Sequence, residues 1–329
     1  MNEIDIYGNF RLRSKSVEDE SERYKEYRCK WEDLPIKHIV EDFPIHVDLE
    51  MNTTCNLKCP MCTYSKYPPK PIIGDLDLAK KVIDEGVKKG LCSIKTQFRG
   101  EPLLYGKMPE LIKYAKEKGV IEAMFNTNAT LLSKEKAKAL IEAGLDKIIC
   151  SVDGFTKEVY ESVRVGGNFE TVLENIKTLQ NLKKEMGSIK PIVRVQMINA
   201  PYNNYEAEDY INFWDKIVEQ IGVEDLTERL TFADIDTPLE DWSCSQLWQR
   251  VVVLADGDIV PCCGGVIKGD IKMCVLGNAY KDSIEDVWKG KDLTKLRKLH
   301  IEGRSHEIEM CRRCTIRQYV LSKKLEGKS

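Results

Sequence analysis

The sequence predicts an α/β fold: a parallel sheet curled into a barrel or partial barrel, followed by a small cysteine-rich unit. Two observations predict the barrel. From residue 44 onward, short β-rich runs alternate with helical runs. A strand followed repeatedly by a crossover segment builds right-handed βαβ units and hence a parallel sheet. A third observation predicts the appendage. After about residue 235 the alternation gives way to a hairpin pattern and a cluster of cysteines, which places a domain boundary near residue 236.

Residues 1–43 are polar and charged and read as a solvated N-terminal extension, in which "SVEDESERYKEYRCKWEDL" carries an amphipathic helical pattern. The barrel is expected over 44–235. Its strands are "IHVDLEM" (45–51), "CSIKTQF" (92–98), "IEAMFN" (121–126), "KIICSVD" (147–153), "IVRVQMI" (192–198) and "RLTFAD" (229–234). Helices are expected at about 76–89, 107–118, 133–143, 157–186 and 204–220. The third is punctuated by Ser133 as a cap and by Gly144 after its end. In residues 236–329, "WQRVVVLADGDIVPCC" (248–263) reads as a β-hairpin turning on Asp256-Gly257, and a helical piece follows at 283–301. Barrels place their functional loops at the C-terminal ends of the strands.

Composition narrows the function classes. Of 329 residues, 42% are hydrophobic and 31% charged, which suits a globular chain with a core. The 50 basic and 53 acidic residues are interspersed, so no positive field exists for a nucleic-acid backbone. The opening "MNEIDIYGNF" lacks the basic and apolar regions of an export signal, and no apolar run approaches the ~20 residues that span a bilayer. A cytoplasmic protein, partnered by neither nucleic acid nor membrane, is expected. Twelve cysteines in a reducing compartment point to metal ligation or redox chemistry rather than disulfides.

The densest cysteines are Cys55, Cys59 and Cys62 in "NTTCNLKCPMCTYSKY", just past the first strand. Three thiolates can hold three irons of a [4Fe–4S] cluster and leave the fourth iron open to a non-protein ligand. A zinc knuckle or three unrelated thiols is the alternative, but zinc takes four ligands and the nearby His46 lies upstream on the strand. The spacing C-x3-C-x2-C with Met61 before the last cysteine resembles the signature of the radical S-adenosylmethionine (radical SAM) enzymes. The resemblance covers roughly residues 44–235.

Further motifs recur in order. "FRGEPLL" resembles the family's G-G-E-P, which implies that Gly100 and Glu101 hold the methionine amino group, with Arg99 in place of the first glycine. "NTNATLL" resembles T-N-G-T and implies Asn128 near the ribose, with Ala129 in place of the glycine. "CSVDG" resembles S-x-D-G and adds Ser151 and Asp153 there, and "ESVRVGG" offers Arg164 as partner of the cofactor's carboxylate. The resemblance implies a partial (β/α)6 TIM-like barrel, S-adenosyl-L-methionine as cofactor, a flavodoxin- or ferredoxin-type reductant, and a 5′-deoxyadenosyl radical that removes hydrogen from an unactivated carbon.

The tail adds Cys244, Cys262, Cys263, Cys274, Cys311 and Cys314. Cys244, Cys262, Cys311 and Cys314, with Gly257 between the first two, resemble the ligands of the auxiliary-cluster domains named SPASM and Twitch. A full SPASM domain continues with further cysteines, so four ligands imply one closed auxiliary [4Fe–4S] cluster; four-cysteine zinc is the alternative. Cys263 and Cys274 are expected to be buried or supporting thiols, with substitution for Cys262 or hydrogen donation as other roles.

The spacing is similar to that of the 2-deoxy-scyllo-inosamine dehydrogenases, and implies a dehydrogenase acting on a sugar, aminocyclitol or sugar nucleotide, with Arg229 near the reacting hydroxyl. Two other radical reactions stand beside it. One is maturation of a ribosomal peptide, for which residues 1–43 are few and polar. The other is carbohydrate epimerisation with a cysteine hydrogen donor. An electron-transfer or zinc-stabilised interaction protein leaves Glu101, Asn128, Ser151 and Arg164 unexplained.

Overall fold

The computed structural model describes residues 10–15, 21–226, 234–264 and 274–326. In chain order its elements are β1 (Phe10–Ser14), α1 (Glu22–Lys37), β2 (His46–Leu49), α2 (Thr63–Lys66), α3 (Leu76–Val87), β3 (Ser93–Lys95), α4 (Met108–Glu117), β4 (Glu122–Thr127), α5 (Lys134–Glu142) and β5 (Lys147–Ser151). Then come α6 (Lys157–Val163), α7 (Phe169–Glu185), β6 (Ile192–Asn199), α8 (Ala207–Trp214), β7 (Gln220–Asp225), α9 (Gln246–Gln249), β8 (Arg250–Val253), β9 (Asp258–Val260), β10 (Gly277–Asn278), α10 (Ile284–Trp288), α11 (Lys291–Ile301), α12 (Glu309–Arg312) and α13 (Thr315–Glu326).

Strands β2 to β7 pair in parallel in sequence order, the six-stranded sheet of a partial TIM-like barrel. Helices α3, α4, α5 and α7 pack their apolar stripes outside it. Val82, Ile83, Leu111, Ile112, Leu140, Val172 and Ile176 meet the outward-facing Val47, Ile94, Ala123, Phe125, Ile148 and Val193 in one core. Side chains alternate across a strand, so His46, Asp48, Ser93, Lys95, Glu122, Met124 and Lys147 point the other way, into the lumen. Burying each large aliphatic residue of the outer layer contributes about 1.5–3 kcal/mol. That gain offsets the cost of a polar lumen.

Three differences from the expected elements matter for the site. The last barrel strand is Gln220–Asp225, starting where the helix expected over 204–220 ends, whereas most of the expected strand at 229–234 lies outside the described residues. Its signal is weak because Gly222 interrupts the β-branched run. The glycine is needed: a Cβ there would lie 2.8 Å from the ring of Phe10, which β1 lays across β7.

The described parts of the N-terminal segment dock on the barrel, although most of their residues stay at least partly exposed. β1 adds an antiparallel strand to the barrel edge, and α1 buries Tyr27 and Leu34. The Tyr27 hydroxyl donates to Glu122 Oε2 at 3.2 Å, and Trp31 meets His46 edge-on, with ring centroids 5.5 Å apart. The one helix expected over 157–186 is two. They are separated by a turn at residues 164–168, in which Gly166 has φ +93°.

At the other edge, β8 pairs in parallel with β2, and β9 and β10 continue the sheet antiparallel. The hairpin turns on Asp256-Gly257 as expected, with Gly257 at φ +87°. One ten-stranded sheet therefore carries both cysteine sets.

Candidate functional site

The first cysteine loop leaves β2 at the C-terminal end of the barrel and is fastened by its neighbours. Asn52 Nδ2 donates to the Thr54 carbonyl at 2.7 Å and to the Glu101 carbonyl at 3.0 Å. The Glu101 amide donates to the Thr54 carbonyl at 2.8 Å. Gly100 has φ +68°, and a Cβ on it would stand 2.6 Å from the carbonyl oxygens of Asn52 and Thr54. Only glycine lets the two loops meet so closely. On the far side the Lys58 amide donates to the Val165 carbonyl at 2.9 Å, so the turn between α6 and α7 braces the loop.

Arg99, in the place of the family's first glycine, leaves that geometry intact because its side chain turns away. Its Nε and Nη2 each lie 2.5 Å from the two carboxylate oxygens of Glu50, whose Oε1 also accepts from the Arg99 amide. Glu50 Oε2 accepts from the Ala255 amide of the β8–β9 hairpin at 3.1 Å. This buried pair links the barrel loop to the C-terminal unit. It was missed because a glutamate ending a strand carries no local signal of its partner.

Glu101 is buried and its carboxylate is fully engaged. Oε1 accepts from Thr127 Oγ1 at 2.6 Å and the Leu103 amide at 3.0 Å, and Oε2 accepts from the Asn128 amide at 2.8 Å. Burial raises its pKa, and these three donors oppose the shift. Asn128 Nδ2 donates to Asn56 Oδ1 at 2.9 Å and faces Cys55 Sγ at 3.9 Å, while its Oδ1 accepts from the Thr130 amide and hydroxyl. Ala129 keeps the glycine's left-handed backbone, φ +59°, with no exposed surface. Asn175 donates to its carbonyl at 2.9 Å.

Arg164 is half-buried with Nε 2.5 Å from Asp153 Oδ2 and Nη1 3.9 Å from Cys59 Sγ. Asp153 has no exposed surface, and its Oδ1 accepts from the Ile198 amide at 2.7 Å. It thus holds Arg164 with one carboxylate oxygen and the Ile198 amide with the other. Cys55 and Cys59 have pKa values raised chiefly by burial. The Leu57 amide lowers that of Cys55 and the Arg164 charge lowers that of Cys59. The structure therefore gathers Cys55, Cys59, Gly100, Glu101, Asn128, Asp153 and Arg164. Cys62 is tied to Cys59 by its amide, 3.0 Å from the Cys59 carbonyl. Met61 and Ser151 are half-buried, Ser151 ending β5 opposite Gln196. Arg229 lies outside the described residues.

The second cysteine set gathers from four segments. A Cβ on Gly264 would stand 3.3 Å from Cys314 Sγ and 3.8 Å from Cys262 Sγ, so both sulfurs converge on that bare glycine. Burial raises the pKa of Cys262, and the negative charges of Cys263, Cys244, Cys311 and Cys314 raise it further. Cys311 is raised likewise. Among the described residues, no three cysteine, histidine or acidic side chains converge on the position of one metal ion. Thiolates are donors to both zinc and a [4Fe–4S] cluster. The donor set fits the cluster. Cys263 donates its thiol to Gln246 Oε1 at 3.2 Å and is exposed, and Cys274 is half-buried.

Two residues here escaped sequence reasoning. His300 bridges Cys244 and Cys311, its Nδ1 3.2 Å from the Cys244 amide and its Nε2 3.4 Å from Cys311 Sγ. Burial, with the nearby Arg317 charge, pushes its pKa down to about 4, so the imidazole is neutral. Arg317 is buried on Ser305 Oγ and the carbonyls of Ile235 and Thr237.

Inside the barrel, toward the N-terminal ends of the strands and lined by none of the residues of the first cysteine loop or its supports, lies a chamber of about 370 Å³. Lys95, Glu122, Asn126, Lys147, Gln196 and Glu224 line it from the strands. Phe10, Arg28 and Trp31 close it from the N-terminal segment.

Comparison with known proteins fits this geometry. The Radical SAM superfamily profile matches residues 49–213, and the SPASM iron-sulfur cluster-binding domain profile matches 244–315. A GTP 3′,8-cyclase of Limosilactobacillus fermentum is 29% identical over 203 residues, covering 60% of this chain and 57% of the cyclase. A tungsten-containing aldehyde ferredoxin oxidoreductase cofactor-modifying protein of Pyrococcus furiosus is 30% identical over 157 residues, covering 47% of this chain and 44% of that protein. The matches thus span less than two thirds of these curated relatives. Among solved structures, BtrN in complex with AdoMet and 2-DOIA superposes with a TM-score of 0.55 at 19% identity, covering 84% of this chain and 94% of BtrN. SuiB of Streptococcus suis bound to S-adenosylmethionine gives 0.58 at 15% identity, covering 86% and 74%. At these identities the superpositions show the fold alone. No helix among the described residues is long and apolar enough to cross a membrane.

Proposed function

Because the chain belongs to the radical SAM superfamily, we propose that it is an oxidoreductase that turns a carbinol of a small polyhydroxylated molecule, a sugar, aminocyclitol or sugar nucleotide, into a carbonyl. The observation that carries this reading is the chamber. Its volume of about 370 Å³ suits a small ligand, and most of its lining side chains can hydrogen-bond. The cyclase relative aligns over 203 residues, a span that supports radical generation and leaves the substrate to the chamber.

In this reading Cys55, Cys59 and Cys62 hold the [4Fe–4S] cluster that opens S-adenosylmethionine to a 5′-deoxyadenosyl radical. Gly100 and Glu101 serve the methionine amino end. Glu101 does so partly by fixing Asn128, whose amide turns toward the loop of Cys55 and the ribose side, with Ser151 on the neighbouring strand end. Arg164 presents its guanidinium to the carboxylate end, and Asp153 holds it there. Met61 packs beside the cluster. Cys244, Cys262, Cys311 and Cys314 hold one auxiliary [4Fe–4S] cluster.

The two-electron oxidation would balance with the carbinol hydrogen atom taken by the 5′-deoxyadenosyl radical to give 5′-deoxyadenosine, the hydroxyl proton taken by a base, and the remaining electron taken up by the cluster that Cys244, Cys262, Cys311 and Cys314 would hold. A barrel interior keeps such a radical from solvent.

The test is anaerobic reconstitution with iron and sulfide, expected to give about eight irons per chain. Sugars, aminocyclitols and sugar nucleotides deuterated at each carbinol are then offered with S-adenosylmethionine and dithionite. Deuterium in 5′-deoxyadenosine together with a carbonyl product supports the reading. Zinc without iron, or deuterium transfer only from peptide substrates, overturns it.

A further inference from the structure

The second cysteine set contains a histidine whose hydrogen position the geometry fixes. His300, at the end of α11, is 2% exposed. Its Nδ1 faces the Cys244 backbone N–H at 3.2 Å. That amide can only donate, so Nδ1 is the acceptor and the single ring hydrogen of the neutral imidazole sits on Nε2. Nε2 in turn lies 3.4 Å from Cys311 Sγ. The contact is therefore an N–H···S hydrogen bond from His300 to Cys311.

Other donors act on these sulfurs as well. The backbone N–H groups of Ile316 and Arg317 are directed at Cys314, and the Arg317 guanidinium acts on both Cys311 and Cys314 while itself feeling the negative charge of Asp236. At the first cysteine loop the signs are mixed. Arg164 approaches Cys59 already paired with Asp153, and Cys55 feels the negative charge of Glu101.

Adding an electron to a cluster adds negative charge. Hydrogen bonds to ligand sulfurs and nearby cations stabilise the reduced form and raise the reduction potential. We propose that His300 is a positioning residue of the auxiliary cluster: it ties the Cys244 segment to Cys311 and, through its Nε2–H···S bond, biases the cluster toward accepting an electron. The inference rests on the assignment of Cys244, Cys262, Cys311 and Cys314 as cluster ligands, and it explains the direction of electron flow in the proposed oxidation. Neither family profile match assigns His300 a role.

The test uses the full chain carrying Cys55→Ala, Cys59→Ala and Cys62→Ala, so that only the auxiliary cluster remains. About four irons per chain are expected. Absence of iron in this parent would fail the ligand assignment itself, separately from the role of His300. The midpoint potential is then measured by redox titration followed by electron paramagnetic resonance for the parent, His300→Leu and His300→Gln. Loss of one hydrogen bond to sulfur in His300→Leu is expected to disfavour electron uptake about tenfold, which is 59 mV for a one-electron couple. His300→Gln, which keeps an N–H donor, is expected to return the potential toward the parent's.

An unchanged potential in His300→Leu with its iron retained would sink the proposal. Loss of iron from both variants would also overturn it, in favour of an imidazole needed as a ligand. Loss from His300→Leu alone, with His300→Gln at the parent's potential, supports it.

Discussion

The two cysteine sets of this chain share one sheet and differ in how they are built. The first is compact in sequence, with Cys55, Cys59 and Cys62 on one loop, and its supports come from strand ends across the barrel: Asn52, Gly100, Glu101, Asn128 and Arg164. The second is scattered over Cys244, Cys262, Cys311 and Cys314, and its supports are local to its own unit: Gly264, His300 and Arg317. One set offers three thiols and a polar surround on which a small molecule can complete the shell. The other offers four thiols and encloses them. The contrast is between a donor set one thiol short of four and a complete one, which the proposed function reads as an open and a closed cluster.

Substitutions at the two sets should separate these roles. The largest effect is expected from Cys59→Ala, which should abolish 5′-deoxyadenosine formation, whereas Cys311→Ala should leave cofactor cleavage measurable and block turnover to a carbonyl product. Chromatography of 5′-deoxyadenosine and product in parallel checks both. Equal loss of cleavage in the two variants would erase the distinction.

Next comes the link between the sets. Glu50→Gln leaves the buried Arg99 guanidinium without its bidentate partner and weakens the acceptor of the Ala255 amide. Breaking a buried pair from one side costs about 3–5 kcal/mol. Urea unfolding should show that loss, and a stability within about 1 kcal/mol of the parent would mean that the link is dispensable.

A smaller effect is expected from Asp153→Asn. It removes the charge that holds Arg164 at 2.5 Å but keeps an acceptor for the Ile198 amide. Affinity for S-adenosylmethionine should fall by about tenfold, the equivalent of 1.4 kcal/mol, with the iron content unchanged; isothermal calorimetry on the reconstituted protein checks it. Unchanged affinity would detach Asp153 from the cofactor side. The smallest effect belongs to Ala129→Gly, which relieves a left-handed alanine at φ +59°. The left-handed cost of about 1 kcal/mol is partly offset by glycine's greater unfolded entropy, so a gain below 1 kcal/mol is expected, while Ala129→Val should destabilise markedly.

The legible parts of this molecule were those whose signal is local. Five of six barrel strands read directly as β-branched runs, and the turn at Asp256-Gly257 read from its dipeptide. The sixth strand was misplaced because Gly222 is there for Phe10, a residue more than two hundred positions away. The N-terminal segment read as solvated because its polar residues face a polar chamber. Arg28 and Trp31 look like surface residues in the sequence and line an interior in the fold. The motif placed Asp153 on the cofactor side, and what the motif did not carry is its partners, Arg164 on one carboxylate oxygen and the Ile198 amide on the other.

The sequence alone determined the donor sets, since thiol count and spacing are covalent facts, and the alternation of strand and helix, since periodicity is dictated by which face must be dry. Only the tertiary structure decided what surrounds those donors. The Glu50–Arg99 link, the hydrogen on His300 Nε2 and the chamber closed by Phe10 and Trp31 join residues far apart along the chain. They depend on strand register and helix docking, and such pairings leave no trace in any one segment.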